Sequence, residues 1–192
     1  MVLRESDSEL AADDPAPDFE LPGADGETYT LESFADDEAL LLVFTCNHCP
    51  YAQAKFDLLN DLADEYDDVS VVGINPNDAE EYPDDSFELM CEFVTDGRID
   101  YDAYLRDESQ AVAREYGAVC TPDPFLFANE AEASGEADFR LVYQGRLDDA
   151  PNPDDDPSRF YVSEAIDAVL DGEDVDLDWR PSQGCSIKWH EE

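Results

Sequence analysis

The residues best placed to do chemistry are Cys46-Asn47-His48-Cys49-Pro50. They follow an apolar run, Leu40-Leu41-Leu42-Val43-Phe44, and open a stretch of helical periodicity. Two cysteines separated by two residues at a strand-to-helix junction can cycle between dithiol and disulfide. A helix N-terminus offers unpaired N–H donors and the positive end of the dipole, so a thiolate is favoured there. Pro50 suits the first helical turn, where its missing N–H costs nothing. In this reading Cys46 is the nucleophile and Cys49 the resolving thiol. Cys46 attacks a substrate disulfide, and Cys49 then releases the mixed disulfide. His48 is expected to tune the thiolate and make the couple more oxidising. Two other readings compete: a packed structural pair, or a zinc site. Zinc needs two further ligands, and Cys120, Cys185, His48 and His190 lack the paired spacing that marks such sites. No metal and no organic cofactor are assigned.

The elements that position this segment follow from periodicity. Residues 40–45 read as a strand buried on both faces, as in a parallel sheet. Phe56, Leu59, Leu62, Ala63 and Tyr66 share one helical face, giving a helix over 49–66. Residues 69–74 are a second buried strand, closed by Asn75-Pro76-Asn77-Asp78. A helix over 84–96 is capped by Asp84, Asp85 or Ser86 and presents Phe87, Met90, Cys91 and Val94. A weak strand over 100–105 and a helix over 108–116 come next. Residues 125–127 and 139–143 read as an antiparallel pair joined by an acidic loop. Val162 to Leu170 marks the last helix. Before the first core strand, residues 19–34 read as a hairpin around Gly23-Ala24-Asp25-Gly26. Residues 1–18 read as a loose acidic arm, and residues 172–192 as an irregular tail. The whole chain, 1–192, reads as one α/β domain with a central mixed sheet flanked by helices.

Composition narrows the classes. The chain has 51 acidic and 10 basic residues and a formal net charge of −41. The acids recur along the whole length, so no segment reads as an interaction tail. Such a surface suits concentrated salt, where self-repulsion is screened within ~3 Å at molar strength. It suits neither nucleic acid nor an anionic membrane. No signal-peptide pattern and no spanning stretch is evident, and the expected location is the cytoplasm. There, 5 cysteines read as catalytic or packed thiols rather than a disulfide framework.

The order of elements, with a cysteine pair after the first core strand, resembles the thioredoxin superfamily. More closely, the chain resembles its peroxiredoxin-like group, related to the AhpC/TSA and TlpA-like branches. Five segments carry the resemblance: Cys46-Asn47-His48-Cys49-Pro50, Ile74-Asn75-Pro76-Asn77-Asp78, Cys120-Thr121-Pro122-Asp123, Gly145-Arg146-Leu147-Asp148-Asp149 and Gly184-Cys185-Ser186-Ile187-Lys188-Trp189. The resemblance implies a thioredoxin fold with an inserted α-β unit at about 84–105. It implies a cis bond before Pro122 and a substrate groove shaped by Thr121 and Pro122. The chain departs from typical thioredoxins in having Thr45, not Trp, before the first cysteine, and no acid within residues 40–44.

Cys120, close to the groove, is either a third redox thiol or a small buried hydrophobe. Cys185 either resolves a sulfenic acid from the tail or packs with Trp179 and Trp189. Arg146 either lowers a thiol pKa, as an arginine does in peroxiredoxins, or makes a surface ion pair. Cys91 reads as core. The expected function is a thiol–disulfide oxidoreductase acting on protein or small-molecule disulfides, recycled by an external thiol reductant. One alternative, suggested by the resemblance, is a thiol peroxidase acting on hydroperoxides. The other is a non-enzymatic binding module on the same fold. From composition, dialysis from molar to millimolar salt is expected to unfold the protein, seen as loss of far-UV circular dichroism.

Overall fold

The computed structural model describes residues 2–131 and 135–190. Part of the acidic loop expected before residue 139, and the outermost residue or two of the arm and of the tail, lie outside that range. In chain order the strands and helices are β1 (Leu3–Glu5), β2 (Glu20–Pro22), β3 (Thr28–Thr30), β4 (Ala39–Phe44), α1 (Pro50–Gln53), α2 (Phe56–Glu65), β5 (Val69–Asn75), α3 (Phe87–Thr95), β6 (Ala103–Arg106), α4 (Ala111–Glu115), β7 (Cys120–Thr121), β8 (Asp123–Asn129), β9 (Phe139–Gln144), α5 (Tyr161–Leu170) and β10 (Gln183–Ser186).

The central sheet runs β6-β5-β4-β8-β9. Strands β4, β5 and β6 are parallel, whereas β8 and β9 are antiparallel. This is the expected mixed sheet, and the apolar run explains why β4 holds its middle. Leu40, Leu42 and Phe44 pack with Tyr116, Phe125 and Phe127 on one face. Ala39, Leu41 and Val43 pack with Leu59 and Leu62 of α2 and Val162 and Ile166 of α5 on the other. A strand buried on both faces needs apolar residues at every position, not at alternate ones. Pro124 is accommodated because β9 pairs with β8 only from Phe125 onward, so no β9 carbonyl loses a donor.

Four expectations need correction. The single helix over 49–66 is broken into α1 and α2. The Lys55 N–H turns back to Ala52 O, and the Lys55 side chain is drawn away to Asp148 and Ala150. The helix near 84–96 begins at Phe87, capped by Ser86. Phe87 lies 38% exposed and Phe93 packs in its place. The arm is not loose, since β1 pairs with β10 and Ala16 N–H donates to Phe139 O. The tail is not irregular throughout: β10 lies between β1 and β7 in a second sheet, antiparallel to both. Short strands with mixed polarity carry no period-2 signature, so sequence alone gave no sign of this sheet.

One buried ion pair fastens α2 to the segment after β9. Lys55 Nζ donates to both Asp148 carboxylate oxygens, at 2.8 and 2.7 Å, and to Ala150 O at 2.9 Å. Removing one partner of a buried pair strands the other charge. Lys55→Met is therefore expected to cost about 3–5 kcal/mol, measured by urea denaturation in molar salt. Lys55→Met with Asp148→Leu is expected to recover most of that loss.

Candidate active site

The carboxyl ends of β4 and β5 deliver the site, where open α/β sheets present their crevices. Thr45 continues β4 by donating its N–H to Ile74 O. Cys46-Asn47-His48 then crosses to α1, with Cys49 as its N-cap and Pro50 at its first position. Because α1 has only 4 residues, its macrodipole is small. Local N–H groups matter more. The N–H groups of His48 and Cys49 are directed at the Cys46 sulfur and lower its pKa.

The disulfide is not the expected one. Cys49 is bonded to Cys185 of β10, 136 residues away, and Cys46 is a free thiol. Nor is Cys46 accessible: its exposure is 0%, and Cys185 is 2% exposed. Burial, helped by the Asp85 charge, pushes the Cys46 thiol up to about 12. Those two effects outweigh the N–H groups and the Thr121 hydroxyl. The expectation of a favoured thiolate at Cys46 is thus corrected.

Three sulfurs converge on Thr121. Cys46 Sγ lies 3.3 Å from its hydroxyl oxygen. Cys49 Sγ lies 3.5 Å from its carbonyl oxygen. Cys185 is its register partner across β10 and β7. The Thr121-Pro122 bond is cis, as the resemblance implies. The Thr121 backbone, however, is not open to an extended peptide, because β10 already pairs with it. Gly184 makes that approach feasible, since a Cβ there would collide with the Thr121 carbonyl.

Beneath the loop lies a carboxylate that sequence reading treated only as one of three helix caps. Asp85 is fully buried. Its Oδ1 accepts from the Asn47 N–H at 2.7 Å and the His48 N–H at 3.3 Å. Its Oδ2 lies 2.6 Å from His48 Nδ1 and accepts from Asn77 Nδ2 at 2.7 Å. His48 also stacks on Tyr82. Asn77 continues the network to the tail by accepting the Lys188 N–H. Tyr104 and Gln53 fix Asn47 at its side chain and carbonyl. Cys46, His48 and Asp85 offer donor atoms within 4.8 Å of one another. A soft divalent cation there would need to break the His48–Asp85 contact and compete with Asp85's N–H donors, so the set fits a hydrogen-bonded loop better than a metal centre.

The remaining candidates lie apart from the three sulfurs. Cys120 is buried, with its sulfur 3.7 Å from Ser182 Oγ and from Pro122 O, and burial pushes its thiol up. Arg146 makes no ion pair among the described residues. Its Nε donates to Pro181 O, and it lines a shallow, solvent-open cleft beside Pro122 and Lys55. Cys91 is only half-buried, rather than core.

Comparison with known proteins fits this architecture. The sheet order, the cis-proline beside the cysteine segment and the flanking helices define a thioredoxin-like fold. Residues 12–134 match the AhpC/TSA family, and the chain belongs to it. An uncharacterized conserved protein from Geobacillus kaustophilus is 37% identical, with a TM-score of 0.87 over 100% of this chain and 98% of that one. A hypothetical protein from Sinorhizobium meliloti 1021 is 38% identical, with a TM-score of 0.87 over 98% and 99%. Peroxidoxin BcpB from Mycobacterium tuberculosis shares the fold at 21% identity, with a TM-score of 0.56 over 85% and 96%. Comparison with curated proteins finds no match. No helix among the described residues is long and apolar enough to cross a membrane.

Asp123 supplies a pH-dependent fastening of the tail. It is fully buried, and desolvation raises its pKa to about 6 despite bonds from Ser182, Ser6 and the Val119 N–H. A carboxyl with a raised folded pKa contributes full stability below its unfolded value, near 3.9, and loses it as pH rises to about 6. The loss amounts to about 3 kcal/mol. Between pH 4 and pH 7 the stability of Asp123→Asn, relative to the native protein, is expected to rise by about that amount, read from urea midpoints at constant high salt.

Proposed function

We propose that the protein is a thiol peroxidase that reduces hydroperoxides through Cys49 and Cys185. The observation that carries this reading is the bond between Cys49, at the head of α1, and Cys185, in the distant strand β10. That linkage is the product expected when a sulfenic acid on one sulfur is closed by a second thiol. The Cys49 thiolate attacks a peroxide oxygen and the O–O bond breaks. Water or an alcohol leaves, and Cys49 becomes a sulfenic acid. The Cys185 thiol then attacks that sulfur, forming the disulfide and expelling water. An external thiol reductant supplies two electrons and two protons to restore both thiols. Burial of the sulfurs favours a small oxidant, because a protein disulfide could not reach them with β10 in place. The cycle as written needs no bound metal or cofactor. Free thiols at Cys46, Cys91 and Cys120 suit a reducing compartment, which supports the cytoplasm as its location.

A second reading, a thiol–disulfide oxidoreductase using Cys46 and Cys49, is favoured by the meeting of both sulfurs at Thr121. The two separate in one assay. Hydrogen peroxide and tert-butyl hydroperoxide are each mixed with reduced protein and a dithiol reductant, and peroxide loss is followed. Cys49→Ser is expected to lower turnover at least about 100-fold. Cys185→Ser is expected to leave the first oxidation intact but let Cys49 proceed to sulfinic acid. Full turnover in Cys49→Ser would discard the peroxidase reading. Inert thiols toward peroxide with rapid exchange on peptide disulfides would install the second. Inertness to both would point to a binding module.

A further inference from the structure

The peroxidase cycle leaves one buried nucleophile without a task. Cys46 is sealed from solvent, yet its sulfur and that of Cys49 contact the same residue, Thr121, at its hydroxyl and its carbonyl. Among the described residues it forms no disulfide. With β10 in place, no external partner can reach it. The redox group it can meet is the neighbouring disulfide.

We propose that Cys46 is an internal exchange thiol: it attacks Cys49 in the Cys49–Cys185 bond, forms a Cys46–Cys49 disulfide and expels Cys185, so that β10 can leave Thr121. The proposal rests on Cys49–Cys185 being the oxidised state of the cycle. The step is redox-neutral. The Cys46–Cys49 sulfur bond forms, the Cys49–Cys185 bond breaks, and the Cys46 proton ends on Cys185. The N–H groups of His48 and Cys49, directed at the Cys46 sulfur, receive the charge as that proton leaves. Burial and Asp85 hold the thiol protonated at rest, so the strand stays shut most of the time. The result is a relay. A small oxidant acts on the closed form, and the oxidising equivalent then moves to a pair whose groove at Thr121 is open to a protein reductant in extended conformation.

The test uses the full chain with Cys91→Ala and Cys120→Ala, so that the three remaining cysteines report alone. The protein is oxidised with diamide, which closes disulfides whether or not peroxide is a substrate. It is then held in native buffer with a maleimide mass tag and mapped by peptide mass spectrometry. The expected result is tag on Cys185 together with a growing Cys46–Cys49 linked peptide. Adding Cys46→Ser is expected to slow Cys185 tagging at least about tenfold. Equal tagging of Cys185 with and without Cys46 overturns the proposal. So does tag on Cys46 while Cys49–Cys185 stays intact. Should Cys46→Ser fail to fold, Cys185→Ser decides: oxidation must close Cys46–Cys49, and a Cys46 that stays free refutes the step. Failure of peroxide turnover alone bears on the peroxidase reading, not on this exchange.

Discussion

The site depends on the pairing of β10 with the two residues of β7. The Thr121 hydroxyl lies against the Cys46 sulfur, its carbonyl oxygen is 3.5 Å from the disulfide sulfur of Cys49, and its backbone places Cys185 opposite. The steric condition for this is the bare Cα of Gly184, which lets two backbones approach where a Cβ would collide. A strand of 4 residues thereby covers two sulfurs and carries the third. Its neighbours reinforce the seal: Ser182 is tied to Asp123, and Lys188 to Asn77. The five sequence segments on which the resemblance rests are distant in the chain, and four of them, including this tail, meet around the sulfurs. The fifth, Gly145 to Asp149, enters from the other side through Asp148 and Lys55.

Charge at the site runs against the usual expectation for a reactive thiol. The interior beneath the loop holds a carboxylate rather than a cation, and Asp85 raises the Cys46 pKa while ordering the loop backbone. His48 faces that carboxylate, so its first role is to hold the loop. A thiol kept protonated in this way is protected from adventitious oxidation. Its reactivity is tied to changes in cover rather than to pH alone.

Elements with strong local signatures were legible from sequence. Leu40 to Phe44 has no polar position and could only be a doubly buried strand. Val162 to Leu170 has clean helical spacing and forms α5. Thr121-Pro122 was placed at the groove, and the cis bond is there. What escaped depended on distant partners. Cys49 has an adjacent CxxC partner in sequence, and nothing local signals that its sulfur reaches across 136 residues instead. Asp85 looked like a cap because it precedes a helix; its role comes from the loop folded above it. The tail strand, Gln183 to Ser186, has too little apolar content to announce itself. The AhpC/TSA match also ends at residue 134, before β9, α5 and the whole tail, so the part of the chain that closes the site lies beyond it.

The two ends of the molecule are mechanically joined. Among the described residues, β1 has β10 as its only strand partner, and Ser6 donates its N–H to Ser182 O in the same ribbon. Whatever detaches the cysteine-bearing strand therefore slackens the opposite terminus as well. Val2 and Leu3, 57% and 51% exposed on the outer edge of that ribbon, would travel with it. A reporter group attached at the amino end would then sense the state of Cys185, the cross-strand partner of Leu3 although it lies near the other end of the sequence.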